Sequence, residues 1–416
     1  MTHTIKVLLT TAITLLLLSC GTEQEPEKKS LFIILDGISA DVLESVNTPH
    51  LDDVIENGSY TRAYIGGEED GYSESPTVSA VGYNHLLTGV WSNKHNVYGN
   101  GIEDPNYNYW NIFQLFKHNH PEEKVAVYSS WLDNRTKLIG EGLPEAGEIT
   151  IDISHDGFEK DTLSFPHQDD GSHVQDIDQH VVELASESIR EDAPVLSWVY
   201  LWYPDSAGHY HGDGDIYYES LKVADQQIGL IWEAIQYREE NYNEDWQFMV
   251  TTDHGRRLPD GRHHGEHTER ERTIWIISNQ KDTNQYFAES KPAIVDLYPS
   301  VSRHLNLEIP EPLARELDGV PLIGEISVSH PTAKFDVDSN EISVGWKAWQ
   351  ESGNVQIYVT TTDHFQDGGE DEYLPLKEVA INAEEAQLDV SELPSDFYKV
   401  VIEGDDNSIN RWVIVD

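Results

Sequence analysis

Only one cysteine, Cys20, stands among the 416 residues, so no disulfide can form within the chain. Basic side chains are scarce too: 27 Lys and Arg against 75 Asp and Glu leave a net charge of −48. A surface this negative repels nucleic-acid phosphate, so no nucleic-acid polymer is expected as a partner. The simplest reading of the charge is solubility, as in a salty habitat. The same field slows small anions, so any phosphate-binding site needs bound cations to reverse the local potential. Long apolar runs are missing as well. Val7 to Leu18 is mostly apolar but falls short of the roughly 20 residues that span a bilayer. Disorder of the whole is excluded in turn, because 38% hydrophobic and 10% aromatic residues allow a large core. The length suits roughly two or three domains.

The position of Cys20 gives it a meaning. Met1 to Lys6 is a short, weakly positive start ahead of the apolar run, and Leu17-Leu18-Ser19-Cys20-Gly21 resembles a bacterial lipobox. The resemblance implies a signal peptide over residues 1–20 and a lipid on Cys20, which anchors the chain to a membrane. An ordinary cleaved signal with an incidental cysteine is the alternative. Gly21 stands where an inner-membrane retention signal carries Asp. The expected place is therefore the outer membrane of a bacterial envelope, facing the periplasm or the cell surface. Residues 21–30 are polar and read as a flexible tether.

Leu31 to Leu35 is apolar at every position and ends in Asp36-Gly37, the pattern of a strand buried on both faces. Asp36 suits either a cap for a helix that Ile38 to Val54 suggests or a metal ligand, and Thr48-Pro49 with His50-Leu51 looks like the start of a further helix. Ser79 lies among small residues ahead of an apolar helix ending in Thr88-Gly89. It is either a simple N-cap or a nucleophile at the positive end of a helix dipole. Asn96 to His120 is rich in Asn, Tyr and Trp and reads as an irregular segment bordering a pocket. Lys124 to Tyr128 is a strand, residues 133–175 a polar insertion, and Ile177 to Arg190 an amphipathic helix. Val195 to Tyr203 is a strand leading into Asp205 and His209, whose spacing of four puts both on one face of a helical turn. Tyr218 to Ile235 reads as a long helix. Trp246 to Val250 is a strand that ends in Thr251-Thr252-Asp253-His254-Gly255, and a histidine-rich loop holding His263, His264 and His267 follows. Thr273 to Ile277 is a further strand, and Pro292 to Leu305 looks helical.

Strands alternating with helices to about residue 325 predict a doubly wound α/β sheet. The texture then changes. Glu341 to Trp346, Val355 to Thr360, Ala386 to Val390, Tyr398 to Glu403 and Asn410 to Val415 are short β-type runs spaced by turns. They predict a C-terminal β-sandwich of the fibronectin type III or immunoglobulin-like kind. The expected division is a catalytic domain over 31–325 and the sandwich over 326–416.

Asp36, Asp205 and Asp253 all follow predicted strands at their C-terminal ends, where open α/β sheets bind ligands. Together with Ser79, His209, His254 and His264 they supply enough ligands for two divalent ions and a nucleophile. Their order and spacing resemble the alkaline phosphatase superfamily, and most closely its type I phosphodiesterase/nucleotide pyrophosphatase branch. The supporting segments are Thr48-Pro49-His50-Leu51, Leu87-Thr88-Gly89 with His95, Pro204-Asp205 through Gly208-His209, Asp253-His254-Gly255, and His264-Gly265 followed by Glu271-Arg272-Thr273.

The resemblance implies an alkaline-phosphatase-like sheet and two divalent metal ions, zinc by family habit. Asp36, Asp253 and His254 would hold one ion, and Asp205, His209 and His264 the other. Ser79 would touch metal and act as the nucleophile, giving a covalent phosphoseryl intermediate. His264 is chosen over His263 and His267 for its distance to Glu271-Arg272-Thr273, and His211 is left a supporting place. The expected substrate is a small-molecule phosphate ester, in first place a phosphodiester or pyrophosphate. A phosphomonoesterase is the near alternative. It needs an extra positive group, for which Lys94, Arg256, Arg257 and Arg262 are available. A catalytically inactive surface binding protein is the alternative from another class, and the complete ligand set speaks against it. Gly82 departs from the branch, which usually carries Asn three residues after the nucleophile. Ser79-Ala80-Val81-Gly82-Tyr83 also lacks the Pro and Arg of a formylglycine sulfatase motif.

Overall fold

A strand apolar at every position is stable only with both faces covered. In the computed structural model, which describes residues 25–415, the run Leu31 to Leu35 completes β1 (Glu27–Leu35) and is fully buried. Leu31, Ile33 and Leu35 enter one core, Phe32 and Ile34 the other. β1 begins at Glu27, so residues 27–30 of the expected tether are strand, with Lys29 and Ser30 buried.

The main sheet consists of β1, β2 (Ser59–Tyr64), β3 (Val125–Ser129), β4 (Ile153–His155), β5 (Leu196–Leu201), β6 (Glu244–Thr251) and β7 (Thr273–Ser278). Their order is β2-β7-β6-β1-β5-β3-β4. The run from β6 to β4 is parallel, and β7 lies antiparallel to both of its neighbours. Helices α1 (Ala40–Leu43), α2 (Pro49–Asn57), α3 (Ser79–Thr88), α4 (Ser92–His95), α5 (Ile112–Asn119), α6 (His173–Glu191), α7 (Tyr203–His211), α8 (Asp215–Asn241), α9 (Glu269–Arg272), α10 (Gln285–Glu289), α11 (Leu297–His304), which lies within the predicted Pro292 to Leu305, and α12 (Glu311–Ala314) complete this part. Leu86, Leu87 and Phe113 of α3 and α5 pack on one face, and Leu51, Val181 and Ile228 of α2, α6 and α8 on the other. The sheet is thus doubly wound.

Three details differ from the sequence expectation. The helix predicted from Ile38 ends early, as α1, and the further helix expected from Thr48-Pro49-His50-Leu51 is α2, which Pro49 opens because the residue before a proline avoids helical geometry. The polar stretch 133–175 contributes β4, a three-residue edge strand too short to show a pattern. β2 also escapes prediction, since its sequence SYTRAY has no apolar run and pairs only with β7.

The C-terminal part holds β8 (Val328–Asp336), β9 (Glu341–Ala348), β10 (Asn354–Thr360), β11 (Leu374–Ala380), β12 (Glu385–Asp389), β13 (Phe397–Glu403) and β14 (Ser408–Ile414). Two antiparallel sheets, β12-β9-β8 and β11-β10-β13-β14, form a β-sandwich. Its core is continuous with the α3 face of the main sheet: one apolar cluster runs from Phe32 to Val413. Among the described residues no helix is long and apolar enough to cross a membrane. The expected signal peptide and the lipid-bearing Cys20 lie outside the described residues.

Candidate metal centre

β1 lies between β5 and β6, so the C-terminal ends of these three strands come together. Each is followed by one of the predicted acids: Asp36 after β1, Asp205 in α7 after β5, and Asp253 after β6. Gly37 makes this convergence possible. Its φ is +68°, and a Cβ there would lie 2.7 Å from Asp205 Oδ1. The strand ends are stitched by Gly37 N–H donating to Asp253 Oδ1 and Ile38 N–H to Thr252 Oγ1, both at 3.0 Å.

Two groups of donor atoms result. Asp36, Asp253 and His254 form one, Asp205, His209 and His264 the other, and within each the ligand atoms lie within 4.8 Å of one another. In the first, His254 Nε2 is 3.3 Å from Asp253 Oδ2 and 3.5 Å from Asp36 Oδ1. In the second, His209 Nε2 is 3.3 Å from Asp205 Oδ2 and 3.0 Å from His264 Nε2. The His254 and His264 rings stack at 3.7 Å, which joins the groups. Ser79 Oγ lies 3.3 Å from His254 Nε2. Ser79 is the first residue of α3, whose N-cap is Val78, so the simple capping role is not the one it takes.

Whether these residues fit metal ions can be tested on their hydrogen bonds. Asp36 Oδ1 and Asp253 Oδ2 are buried without a hydrogen-bond partner. Buried carboxylate oxygens are costly when left so, and a cation is the natural remedy. The imidazoles agree. His254 Nδ1 lies 2.9 Å from the Gly255 carbonyl, and His264 Nδ1 2.8 Å from that of Thr77. A carbonyl only accepts, so each Nδ1 carries the proton and each Nε2 lone pair faces the site. The residues fit.

The electrostatics point the same way. Burial, together with the Asp205 charge, pushes Asp36 up to about 7. Burial and the Asp36 charge push Asp253 well above the usual carboxylate range. Burial also acts upward on Asp205, yet the His209 hydrogen bond and the Arg256 guanidinium hold it well below that range. Burial lowers His254 and His264, while the hydrogen bond to Asp205 raises His209. Three buried carboxylates crowd together with three imidazoles, of which His254 is buried, His264 partly buried and His209 exposed, and a single guanidinium, a balance that added positive charge corrects.

Further residues orient these ligands. Tyr83 and Tyr200 both donate to Asp36 Oδ2, the latter at 2.7 Å. Arg256 is fully buried, paired with Asp205 and bonded to the carbonyls of Gly261 and Arg262. The other predicted cations are engaged elsewhere. Lys94 pairs with Asp318, Arg257 with Glu266, and Arg262 donates to carbonyls of α7. His267 pairs with Glu74, and His263 is exposed. Of the three competing histidines, His264 is the one that joins a donor group. His211 joins neither group.

A cavity of about 490 Å³ opens over the site, lined by Asp36, Ser79, Asp205, His209 and His264 together with Asn100, Trp131, Trp202 and Tyr210. Asn100 and the two tryptophans carry no sequence signal beyond the aromatic and Asn-rich texture around the first. Asn100 Oδ1 accepts the Ala80 N–H at 3.0 Å, which fixes it beside the start of α3.

An α/β sheet with paired carboxylate–imidazole groups at its strand ends offers two sets of donors that could each hold a metal ion. The family model for type I phosphodiesterase / nucleotide pyrophosphatase matches residues 30–360, and the chain belongs to that family of phosphoester hydrolases. Among solved structures it is similar to murine ectonucleotide pyrophosphatase / phosphodiesterase 5, an inactive variant in complex with AMP. That match has 15% identity, 68% of this chain and 96% of that one covered, and a TM-score of 0.46. It is similar also to a phosphonate monoester hydrolase of Agrobacterium radiobacter (13% identity, 93% and 89% covered, TM-score 0.49). A protein of the alkaline phosphatase superfamily from Vibrio parahaemolyticus matches at 15% identity, 78% and 76% covered, TM-score 0.49.

Proposed function

We propose that the chain hydrolyses phosphodiester or pyrophosphate bonds through a covalent phosphoseryl intermediate on Ser79. Asp36, Asp253 and His254 hold one divalent cation, and Asp205, His209 and His264 a second. The observation that carries this reading is the place of the Ser79 hydroxyl, 3.3 Å from His254 Nε2 of one donor group and in one cavity wall with all three residues of the other. Three imidazole nitrogens among three carboxylates suit zinc. When bound, the cations supply Lewis acidity that lowers the pKa of the Ser79 hydroxyl and offsets phosphoryl charge.

The chain's own residues do the rest. Ser79 gives its proton to solvent in the open cavity, and its oxygen bonds to phosphorus as the bond to the leaving oxygen breaks and that oxygen takes a proton from solvent; a water then attacks the phosphoserine, its hydroxyl leaving with the phosphoryl group as phosphate and its proton returning to Ser79 Oγ. The first turn of α3 presents the positive end of its dipole to the developing charge. Asn100, with its carbonyl oxygen occupied by Ala80 N–H, turns its amide nitrogen to a phosphoryl oxygen. Trp131 and Trp202 offer an apolar wall for a substituent of the ester.

That wall favours a diester over a monoester. Among the described residues it contains no lysine or arginine, and a monoester carries more negative charge to be met. The proposal also keeps residues 31–325 as the catalytic unit, 326–416 as the sandwich module, and the chain lipid-anchored through Cys20 on a bacterial envelope, as the lipobox resemblance supports. The deciding experiment compares p-nitrophenyl phosphate mono- and diesters and the sulfate ester on purified protein of measured zinc content. Diester turnover is expected to lead. Turnover of the sulfate ester alone would sink the proposal.

A further inference from the structure

One strand of the C-terminal sandwich holds both flanks of the helix that carries Ser79. The loop 65–78 leads into α3, and β14 grips it. Arg411 pairs with Glu68 of the loop, and its guanidinium lies 4.9 Å over the Tyr72 ring. Trp412 stacks on Tyr72 at 5.5 Å with 14° between the planes, and its backbone N–H donates to the Tyr72 hydroxyl at 3.2 Å. On the other side of α3, the fully buried Lys94 of α4 donates to Asn410 Oδ1 at 2.9 Å. Asn410, Arg411 and Trp412 are consecutive in β14.

The gripped loop does more than lead into α3. Its Thr77 carbonyl fixes the proton on His264 Nδ1, and its Thr77 hydroxyl accepts the Gly265 N–H at 3.0 Å. Ser79 of the first turn and His264 of the second donor group therefore share one support. Displacing reacting groups by about 1 Å can cost on the order of 10²-fold in rate. Neither Arg411 nor Trp412 lines the cavity, so any effect they have must pass through the loop.

We infer that Arg411 and Trp412 are positioning residues, and that the sandwich serves the active site by fixing the loop that aims Ser79 and His264. This rests on the hydrolase reading above. The test uses the full chain, with the variants Trp412→Ala, Arg411→Gln and Trp412→Phe. Val337→Ser, on the exposed turn between β8 and β9, is the control. Turnover of bis-p-nitrophenyl phosphate and backbone hydrogen exchange are both read. Trp412→Ala and Arg411→Gln should lower kcat by about tenfold or more with KM within about twofold. Exchange over 65–78 should quicken while β1, β5 and β6 stay protected. Trp412→Phe keeps a stacking ring and should restore most of kcat, and Val337→Ser should match wild type.

Should Trp412→Ala fail to fold, Arg411→Gln and Tyr72→Leu, at a partly exposed contact, carry the same expectation. Unchanged kcat in the folded variants, or a loop whose exchange does not change, would overturn the inference. A wild-type chain that turns over no phosphate ester would instead count against the hydrolase reading, and the exchange of the loop would then decide whether β14 holds it.

Discussion

Gly82 of α3 sits directly against Asp253: a Cβ at residue 82 would lie 2.7 Å from the Asp253 carbonyl oxygen and 2.9 Å from its Cβ. The family usually has Asn at this place, and here the close seating of the helix on the strand end leaves no room for it. Gly82→Ala should cost about 1–3 kcal/mol of stability and lower kcat as α3 is pushed off the site. Thermal unfolding and diester turnover measure both. A variant with unchanged melting and rate would mean that the helix has slack to give.

Ser79→Ala removes the proposed nucleophile and nothing that packs. Turnover of p-nitrophenyl diesters should fall by at least ~10³-fold while zinc content and melting temperature stay near wild type. Residual turnover close to wild type would take Ser79 out of its role.

Chelation should abolish activity, and zinc should restore it. It should also lower the melting temperature, since ligand binding to the folded state stabilises it and three buried carboxylates would lose their counter-charge. Calorimetry with and without chelator reads this independently of any substrate. An identical melting curve in both would contradict cation binding at Asp36, Asp205 and Asp253.

Asn100→Ala leaves Ala80 N–H without its side-chain acceptor and removes a donor from the cavity. Loss of one such donor costs on the order of 10²-fold in kcat where it meets transition-state charge. An effect confined to KM would instead mark Asn100 as a ground-state contact.

Away from the centre, Asp296 gives a pH signature. It is buried, accepts from Ala293 and Val320 N–H at 2.7 Å and from the Tyr286 hydroxyl at 2.9 Å, and burial raises it to about 7. The unfolded chain ionises such a group near ~4. The unfolded state thus releases its proton first, and stability falls as pH rises from about 4 to 7, with the full cost present above that. Asp296→Asn removes this dependence. The melting temperature of wild type relative to the variant should therefore drop between pH 5 and 8, and a constant difference would contradict the assignment.

The sequence made some of this legible and hid the rest for physical reasons. Asp36 and Asp253 could be placed because strands buried on both faces leave continuous apolar runs that point to their own ends. Asp205 and His209 could be paired from helical spacing alone. Three neighbouring histidines made His264 ambiguous, and family spacing, not local pattern, singled it out. Arg256 looked available for substrate because a sequence does not show that a guanidinium is already spent on Asp205 and two carbonyls. Asn100 lies in an irregular segment where no period relates it to Ala80. β8 and β11 were missed because VSHPTAKFD and LPLKEVA are edge strands, each interrupted by a proline.

The two phenols on Asp36 have a consequence for the choice of ion. With Oδ2 committed to Tyr83 and Tyr200, that carboxylate can meet a guest with one oxygen only. Calcium, which gathers six to eight oxygens and takes carboxylates two at a time, is poorly served by such an arm. A small ion content with about four donors is well served. At the proposed site the hydroxyl pair would therefore bias the choice towards a small ion, through two tyrosines that are not ligands themselves.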